Sequence, residues 1–285
     1  MLGFLRGPIV SRRPCPSGLL SPIVLLLSLV PGTLWPASVL AQTDEIQVYD
    51  GGMAARGVFN LALHNNYVAR GLETPAFEGG VTADRSWNGA PEWALGIRSW
   101  FEAGLYLPLY SLDRHLGWGL NGFKLRTLFA TPNADTRRFV YGVNLELSFN
   151  ARRWDPTRLT SEVRPILGWH LRRFDLVLNP ILDTAYDGLK NVDFAPCARL
   201  AFNFRSSWAV ALEEYADLGP VSGFRAPSDQ SHELYFVLDH QGGLDVEAGV
   251  GVGLTSASNA LTFKLILSRD LNRRKAASGP GMGRP

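Results

Sequence analysis

From Val58 onward the sequence alternates with a period of two, and the phase of that alternation is what most constrains the fold. In Phe139–Phe149, the residues Phe139, Tyr141, Val143, Leu145, Leu147 and Phe149 fall on one face of an extended chain. Val140, Gly142, Asn144, Glu146 and Ser148 fall on the other. Side chains in a strand point alternately to opposite sides, so this segment is a ribbon with one apolar face and one polar or small face. The pattern recurs at Phe174–Asp183, Asp193–Phe204, Leu244–Leu254 and Leu261–Ser268. Applied to the whole chain, it predicts twelve strands: 58–68, 91–98, 100–110, 120–129, 139–149, 160–171, 174–183, 193–204, 208–217, 232–239, 244–254 and 260–270. No segment carries a convincing helical period.

A soluble β-sandwich or barrel turns such an apolar face inward, whereas a membrane barrel turns it outward around a polar interior. Most of the strands approach the 9–11 residues with which a tilted strand crosses a bilayer, and soluble strands are usually shorter. The connections also alternate in length. Those around Ser99, at Arg172–Arg173, at Arg205–Ser207 and at His240–Gly243 are very short, and 130–138 is the longer exception. The intervening ones, 69–90, 111–119, 150–159, 184–192, 218–231 and 255–259, are mostly longer. Short periplasmic turns and long outer loops are the outer-membrane pattern. Trp100, Phe101, Phe129, Phe139, Tyr141, Trp169, Phe174, Phe202, Phe204 and Trp208 all lie at the end that carries the short connections. That placement is expected of an aromatic girdle at a lipid–water interface. The expected fold class is therefore all-β, a transmembrane antiparallel β-barrel of about 12 strands following a cleaved signal peptide.

The first residues supply that signal peptide. Arg6, Arg12 and Arg13 precede an apolar stretch from Leu19 to Val30, and Val39 and Ala41 suit cleavage after Ala41. This is the order of a secretory leader, and the apolar stretch is too short to span a bilayer as a helix. The expected organisation is a signal peptide over 1–41, a loose periplasmic leader over 42–57, the barrel over 58–271 and a flexible tail over 272–285. Cleavage removes three arginines and no acids, so the 28 basic residues fall to 25 against 26 acidic ones. Such a balance offers no basic field for nucleic acid. It also leaves Cys197 as the one thiol, which excludes an internal disulfide or a cysteine metal site. Outer-membrane lipids, the barrel-insertion machinery and a small-molecule permeant are the expected partners.

Some residues run against the pattern. Pro91, Pro108, Pro165, Pro180 and Pro196 fall inside predicted strands and should mark bulges, strand ends or breaks, because proline lacks a ladder donor. Strict alternation puts Glu214 on the lipid face, which places it near the outer rim or predicts a bulge. Gly249, Gly251 and Gly253 alternate with Val250 and Val252. They are small lumen-facing residues that leave room inside or let an opposing side chain approach, not a phosphate-binding loop.

The chain resembles the bacterial outer-membrane barrel proteins labelled phenol meta-pathway degradation-like, which are described as transporters. The segments that carry the likeness are 45–50, 100–108, 140–146, 164–169, 179–182 and 194–196, in the same order. The resemblance implies an outer-membrane location and passage of small, aromatic or hydrophobic molecules. It supplies no catalytic residues. The last strand departs from the usual barrel pattern, since it ends near Leu271 without a terminal aromatic.

Alternation puts most charges on the lumen face. The candidate lumen-lining residues are Glu102, Lys124, Arg126, Glu146, Arg164, Asp193, Arg199 and Glu213, with Glu102–Arg126–Glu146 an acid–base–acid candidate. They form either a structural ladder of ion pairs or a permeation path, and the mixed signs imply no strong ion preference. Metal binding, a cofactor and catalysis are not expected. A lipid-modifying outer-membrane hydrolase is the competing class, but it needs a Ser and a His within hydrogen-bond reach. Of His64, His115, His170, His232 and His240, only His115 and His232 lie at the outer side beside serines. Strand geometry turns the adjacent Ser231 and His232 to opposite faces. The remaining alternatives are a channel or transporter and a structural barrel without transport.

Overall fold

The computed structural model describes residues 45–272. The expected signal peptide, the first residues of the leader and the tail from 273 onward lie outside the described residues. Twelve antiparallel strands close into one ring: β1 (Phe59–Arg70), β2 (Trp87–Arg98), β3 (Phe101–Asp113), β4 (Gly117–Ala130), β5 (Phe139–Asn150), β6 (Leu159–Leu171), β7 (Phe174–Asn179, resuming at Leu182–Thr184), β8 (Asp193–Phe194, resuming at Cys197–Arg205), β9 (Trp208–Asp217, with Gly219–Pro220 beyond it), β10 (Ser231–His240), β11 (Asp245–Gly253) and β12 (Leu261–Asp270). Each strand pairs with its sequence neighbours, and β1 closes on β12 through Asn60↔Asp270 to Arg70↔Leu261.

The alternation holds with its apolar face outward. Leu125 is 45% exposed and Leu145 38%, while their neighbours Lys124, Arg126, Asn144 and Glu146 are buried inside. An exterior of Leu, Val and Phe around a charged interior is the reverse of a soluble core. At the end with the short turns the aromatics meet as expected. The ring centroids of Phe101 and Phe129 are 4.8 Å apart, those of Phe139 and Trp169 5.3 Å, and those of Phe174 and Phe202 5.0 Å.

β2, β3 and β4 all reach further toward the long-loop end than their alternation indicated. β2 begins at Trp87, β3 runs to Asp113 and β4 begins at Gly117, so the β3–β4 connection shrinks to a turn. The longest loop, 71–86, folds back over that end. The Val81 N–H donates to the Arg153 carbonyl (2.9 Å), the Thr82 N–H donates to Asp113 Oδ2 (2.6 Å), and Val81 packs on Trp154 of the 151–158 loop.

The prolines behave as their chemistry requires. Pro91 and Pro108 sit at shifts in the β2–β3 and β3–β4 registers. Pro180 and Pro196 break β7 and β8. Pro165 keeps an unbroken register with β5. It instead faces the gap between Leu167↔Leu178 and Val163↔Leu182, where no ladder donor is required. Gly249 and Gly251 serve close approach as expected: a Cβ on Gly251 would collide with the Tyr235 ring, and one on Gly249 would crowd Lys264. Glu214 stays on the exterior without a bulge, three residues from the outer end of β9. It pairs there with His232 Nδ1 at 3.0 Å.

Candidate functional site

The site is the lumen, and its occupant is the chain itself. Of the loose leader expected over 42–57, residues 45–49 are packed within the barrel and residues 55–57 are exposed. Glu45, Ile46, Val48 and Tyr49 are all buried. The segment descends from mid-lumen to the short-turn end, where its backbone runs against the wall at Gly96. There a Cβ would strike the Ala54 and Ala55 carbonyls. The physical reason for the correction is that only a closed ring creates an interior with unspent hydrogen-bond donors and apolar surface for this strap.

Tyr49 shows how completely the strap crosses the lumen. Its N–H donates to Asn179 Oδ1 (2.8 Å), and Asn179 Nδ2 donates back to its carbonyl (2.9 Å). This two-way bond between side-chain amide and backbone holds the strap as a paired strand would. The Tyr49 hydroxyl meets that of Tyr106 on β3 at 2.6 Å. The Arg164 and Arg126 guanidiniums lie 4.6 and 5.5 Å from its ring centroid, within the range of cation–π attraction. Above it, Arg164 donates to the Gln47 carbonyl (3.0 Å) and Lys264 to that of Ile46 (3.3 Å). One short segment thus touches β3, β4, β6, β7 and β12, walls on opposite sides of the ring.

The wall itself is organised as ion-pair clusters. On β1–β4, Arg126 bridges Glu92 (2.6 Å) and Glu102, Glu92 meets His64 Nε2 (3.1 Å), and Glu102 Oε2 accepts the strap's Ala54 N–H (2.5 Å). On β4–β6, Lys124 lies 3.6 Å from Glu146, and Arg164 binds Glu162 through two bonds of 2.6 and 3.0 Å. Both cations also face Glu45 of the strap, at 4.0 and 3.8 Å. On β8–β12, Arg199 pairs with Glu213 and Asp239. Lys264 pairs with Glu213 and, at 2.6 Å, with Glu247. The Tyr215 hydroxyl donates to Glu213 (2.8 Å).

Beside these charges lies an apolar region. Ile46 and Val48 of the strap pack with Val177, Ile181, Cys197, Tyr215 and Tyr235, among others on β7–β10. Three ion-pair clusters therefore share the lumen with one apolar and aromatic patch that packs on the strap.

Seven of the eight residues expected to line the lumen do so: Glu102, Lys124, Arg126, Glu146, Arg164, Arg199 and Glu213 are buried or half-buried inside the ring. Asp193 does not join them. It sits at the outer end of β8, facing Arg225 of the 218–230 loop at 3.6 Å. The acid–base–acid triplet also forms with a changed partner. Arg126 stands opposite Glu146 in the β4–β5 register but bonds Glu92 and Glu102, while Glu146 turns to Lys124. Strand tilt staggers neighbouring strands, so a long side chain reaches diagonally. Sequence reasoning missed Glu45, Tyr49, Tyr106, Asn179, Tyr215 and Tyr235. The last four share the phase of charged lumen residues, and that signal was available. Ile46 and Val48 alternate over too few residues to suggest a strand.

The one outer-side histidine beside a serine on a strand does not engage it. His232 spends its two ring nitrogens on Glu214 (3.0 Å) and Gln230 (3.3 Å), and the Ser231 hydroxyl turns inward to Ser258 (3.3 Å).

No protein-family model matches the sequence, and no curated protein matches it. Among solved structures, the chain is similar to an outer membrane channel from Pseudomonas putida F1. The two share 12% identity over 79% of this chain and 99% of that one, with a TM-score of 0.53. It also aligns with the NanC porin at 9% identity, over 74% of this chain and 97% of that one, with a TM-score of 0.46. The first likeness establishes a shared barrel fold.

Proposed function

We propose that this chain is an outer-membrane channel for small molecules, held closed by its own residues 45–57. The observation that carries the reading is the strap: a segment bonded to several walls through a handful of polar contacts is a removable stopper in an otherwise continuous ring. The outward apolar band, the aromatic girdle and the barrel fold shared with the Pseudomonas putida F1 channel support the outer-membrane location. Cleavage after Ala41, leaving a leader that begins at Gln42, suits that route. The finer reading follows the sequence resemblance: a transporter of the phenol meta-pathway degradation-like type, passing aromatic or hydrophobic molecules. The apolar patch of Val177, Ile181 and Cys197 against the strap favours such permeants over sugars or ions. A second reading, a structural barrel without transport, is favoured by the ion-pair clusters that fill the interior.

Vesicles reconstituted with the barrel separate the two. The transporter reading expects phenol to equilibrate across them faster than across empty vesicles, with a sugar of similar size excluded. Equal phenol rates with and without protein would leave the structural barrel.

The membrane location has its own test. Leu145→Arg puts a charge on the lipid face near mid-strand and should cost about 2–4 kcal/mol at the midplane. It would be seen as loss of the heat-modifiable folded band on gels. A harmless Leu145→Arg, together with a Glu146→Leu that abolishes folding, would mean that the faces are reversed.

A further inference from the structure

The short-turn rim of the barrel is basic on one side. Three consecutive connections there, joining β4–β5, β6–β7 and β8–β9, carry Arg137, Arg138, Arg172, Arg173 and, at the end of β8, Arg205. All five are exposed. Asp135 is the one acid on these connections. Asp175, two residues on from Arg173, is already bonded to His170 Nδ1 (2.6 Å) and Asn203 Nδ2 (2.5 Å). Among the described residues, none of the five guanidiniums meets a carboxylate. At the long-loop end the cations stand among acids: Arg85 lies 3.7 Å from Asp84, and Arg225 lies 2.8 Å from Asp217.

The backbone holds these connections in place. The Arg138 carbonyl accepts the His170 N–H (2.9 Å) and the Arg173 carbonyl accepts the Asn203 N–H (2.7 Å), so each is tied to a strand further along the ring. Successive connections are two strand spacings apart, about 10 Å. Arg172 takes a φ of 61° in a two-residue turn, a conformation that asparagine or glycine adopts more cheaply. Turn chemistry therefore gives no reason for arginine at that position. On the exterior beside these turns, Phe139, Tyr141 and Phe174 are exposed as part of the aromatic girdle. Cations just beyond such a girdle stand at the level of the lipid phosphates.

We infer that the short-turn rim from β4 to β9 is a binding site for an anionic phospholipid. Arg137, Arg138, Arg172, Arg173 and Arg205 hold the phosphates, and the acyl chains lie against the aromatic band above them. Arginine suits this role because its planar fork of donors can bind two phosphate oxygens at once. A zwitterionic headgroup cancels its own charge and gains less. The inference rests on the membrane location proposed above and adds the leaflet and the lipid class.

Spin-labelled lipids measure the preference directly. The full chain is placed in phosphatidylcholine vesicles with a trace of spin-labelled phosphatidylglycerol or spin-labelled phosphatidylcholine. The motionally restricted fraction of each label gives its relative association with the barrel. Phosphatidylglycerol should associate at least about fivefold more strongly, the factor that a single arginine near a lipid surface supplies. Replacing all five arginines with glutamine should bring the two lipids close to equality. Arg172→Asn with Arg173→Gly installs a favoured hairpin pair, so the barrel should keep its heat-modifiable folded band while the preference falls about threefold or more. Arg85→Gln with Arg114→Gln, at the long-loop end, should leave the preference unchanged. Equal association of the two lipids with the unaltered, inserted barrel would overturn the site alone. So would an undiminished preference in the folded Arg172→Asn, Arg173→Gly variant, or a preference lost in the long-loop variant. Displacement of the labelled lipid by glycerophosphate or polyglutamate in water would also overturn it, since the arginines would then serve a soluble anion or an acidic protein. Failure of the protein to enter vesicles would instead sink the membrane location itself.

Discussion

Arg126→Ala is expected to destabilise the barrel by about 3–5 kcal/mol, the cost of stranding a buried charge after its partner is removed. Arg126 is 3% exposed and is the shared cation of Glu92 and Glu102. Its removal leaves two carboxylates in the interior with no cation but a charged His64 to balance them, and it takes away the guanidinium beside Tyr49. The loss should appear as a lower urea midpoint for conversion of the compact band to the unfolded one in detergent. Adding Glu92→Gln and Glu102→Gln should recover much of it, since neutral amides tolerate burial better than unpaired charges. A change below about 1 kcal/mol would match a solvent-exposed pair. The lumen would then be wet, the clusters would be pathway rather than scaffold, and ion selectivity would be the property to shift.

Deleting residues 42–52 is expected to turn a nearly silent barrel into a conducting one. The deletion removes Tyr49 and the Ile46 and Gln47 carbonyls that bridge the walls, but keeps Met53–Gly57 at the short-turn mouth. The wall clusters survive it: Lys124 retains Glu146, Arg164 retains Glu162, and Lys264 retains Glu213 and Glu247. Twelve strands enclose more than the tightly filled interior of an eight-stranded barrel, so single-channel conductance should rise about tenfold or more once the strap is gone. The open path should prefer cations. The clusters then hold seven carboxylates, Glu92, Glu102, Glu146, Glu162, Glu213, Asp239 and Glu247, against five cations, Lys124, Arg126, Arg164, Arg199 and Lys264. Mixed signs in the sequence implied no strong preference. The assembled wall has a surplus of acids, and a reversal potential under a salt gradient reads it. Unchanged conductance in a folded deletion variant would mean that side chains, not the strap, close the lumen.

Much of the barrel was legible because strand geometry is local. A two-residue period needs only neighbouring residues to declare which face is apolar. Leu145 outside and Glu146 inside therefore follow from the sequence alone, as do twelve strands, short turns at one end and a ring of aromatics beside them. The roles of Pro180 and Pro196 as breaks, and of Gly251 as room for a side chain opposite, were legible for the same reason: each depends on what one residue lacks.

What the sequence could not specify is everything that depends on the closed ring. Strand stagger decides that Arg126 bonds Glu92 and Glu102 and leaves Glu146 to Lys124, and stagger is a property of the whole sheet. Asp193 had the right phase but meets Arg225 at the outer end of β8 instead of joining the three clusters. Glu45–Gly57 had no period, and in an isolated chain nothing would hold it. Its place exists only once β3, β4, β6, β7 and β12 surround one volume and present Tyr106, Arg126, Arg164, Asn179 and Lys264 to it together. Alternation along the chain determined the wall and its inward charges. Closure of the ring decided what fills it, because a lumen's occupant is chosen by groups that are distant in sequence and adjacent only in space.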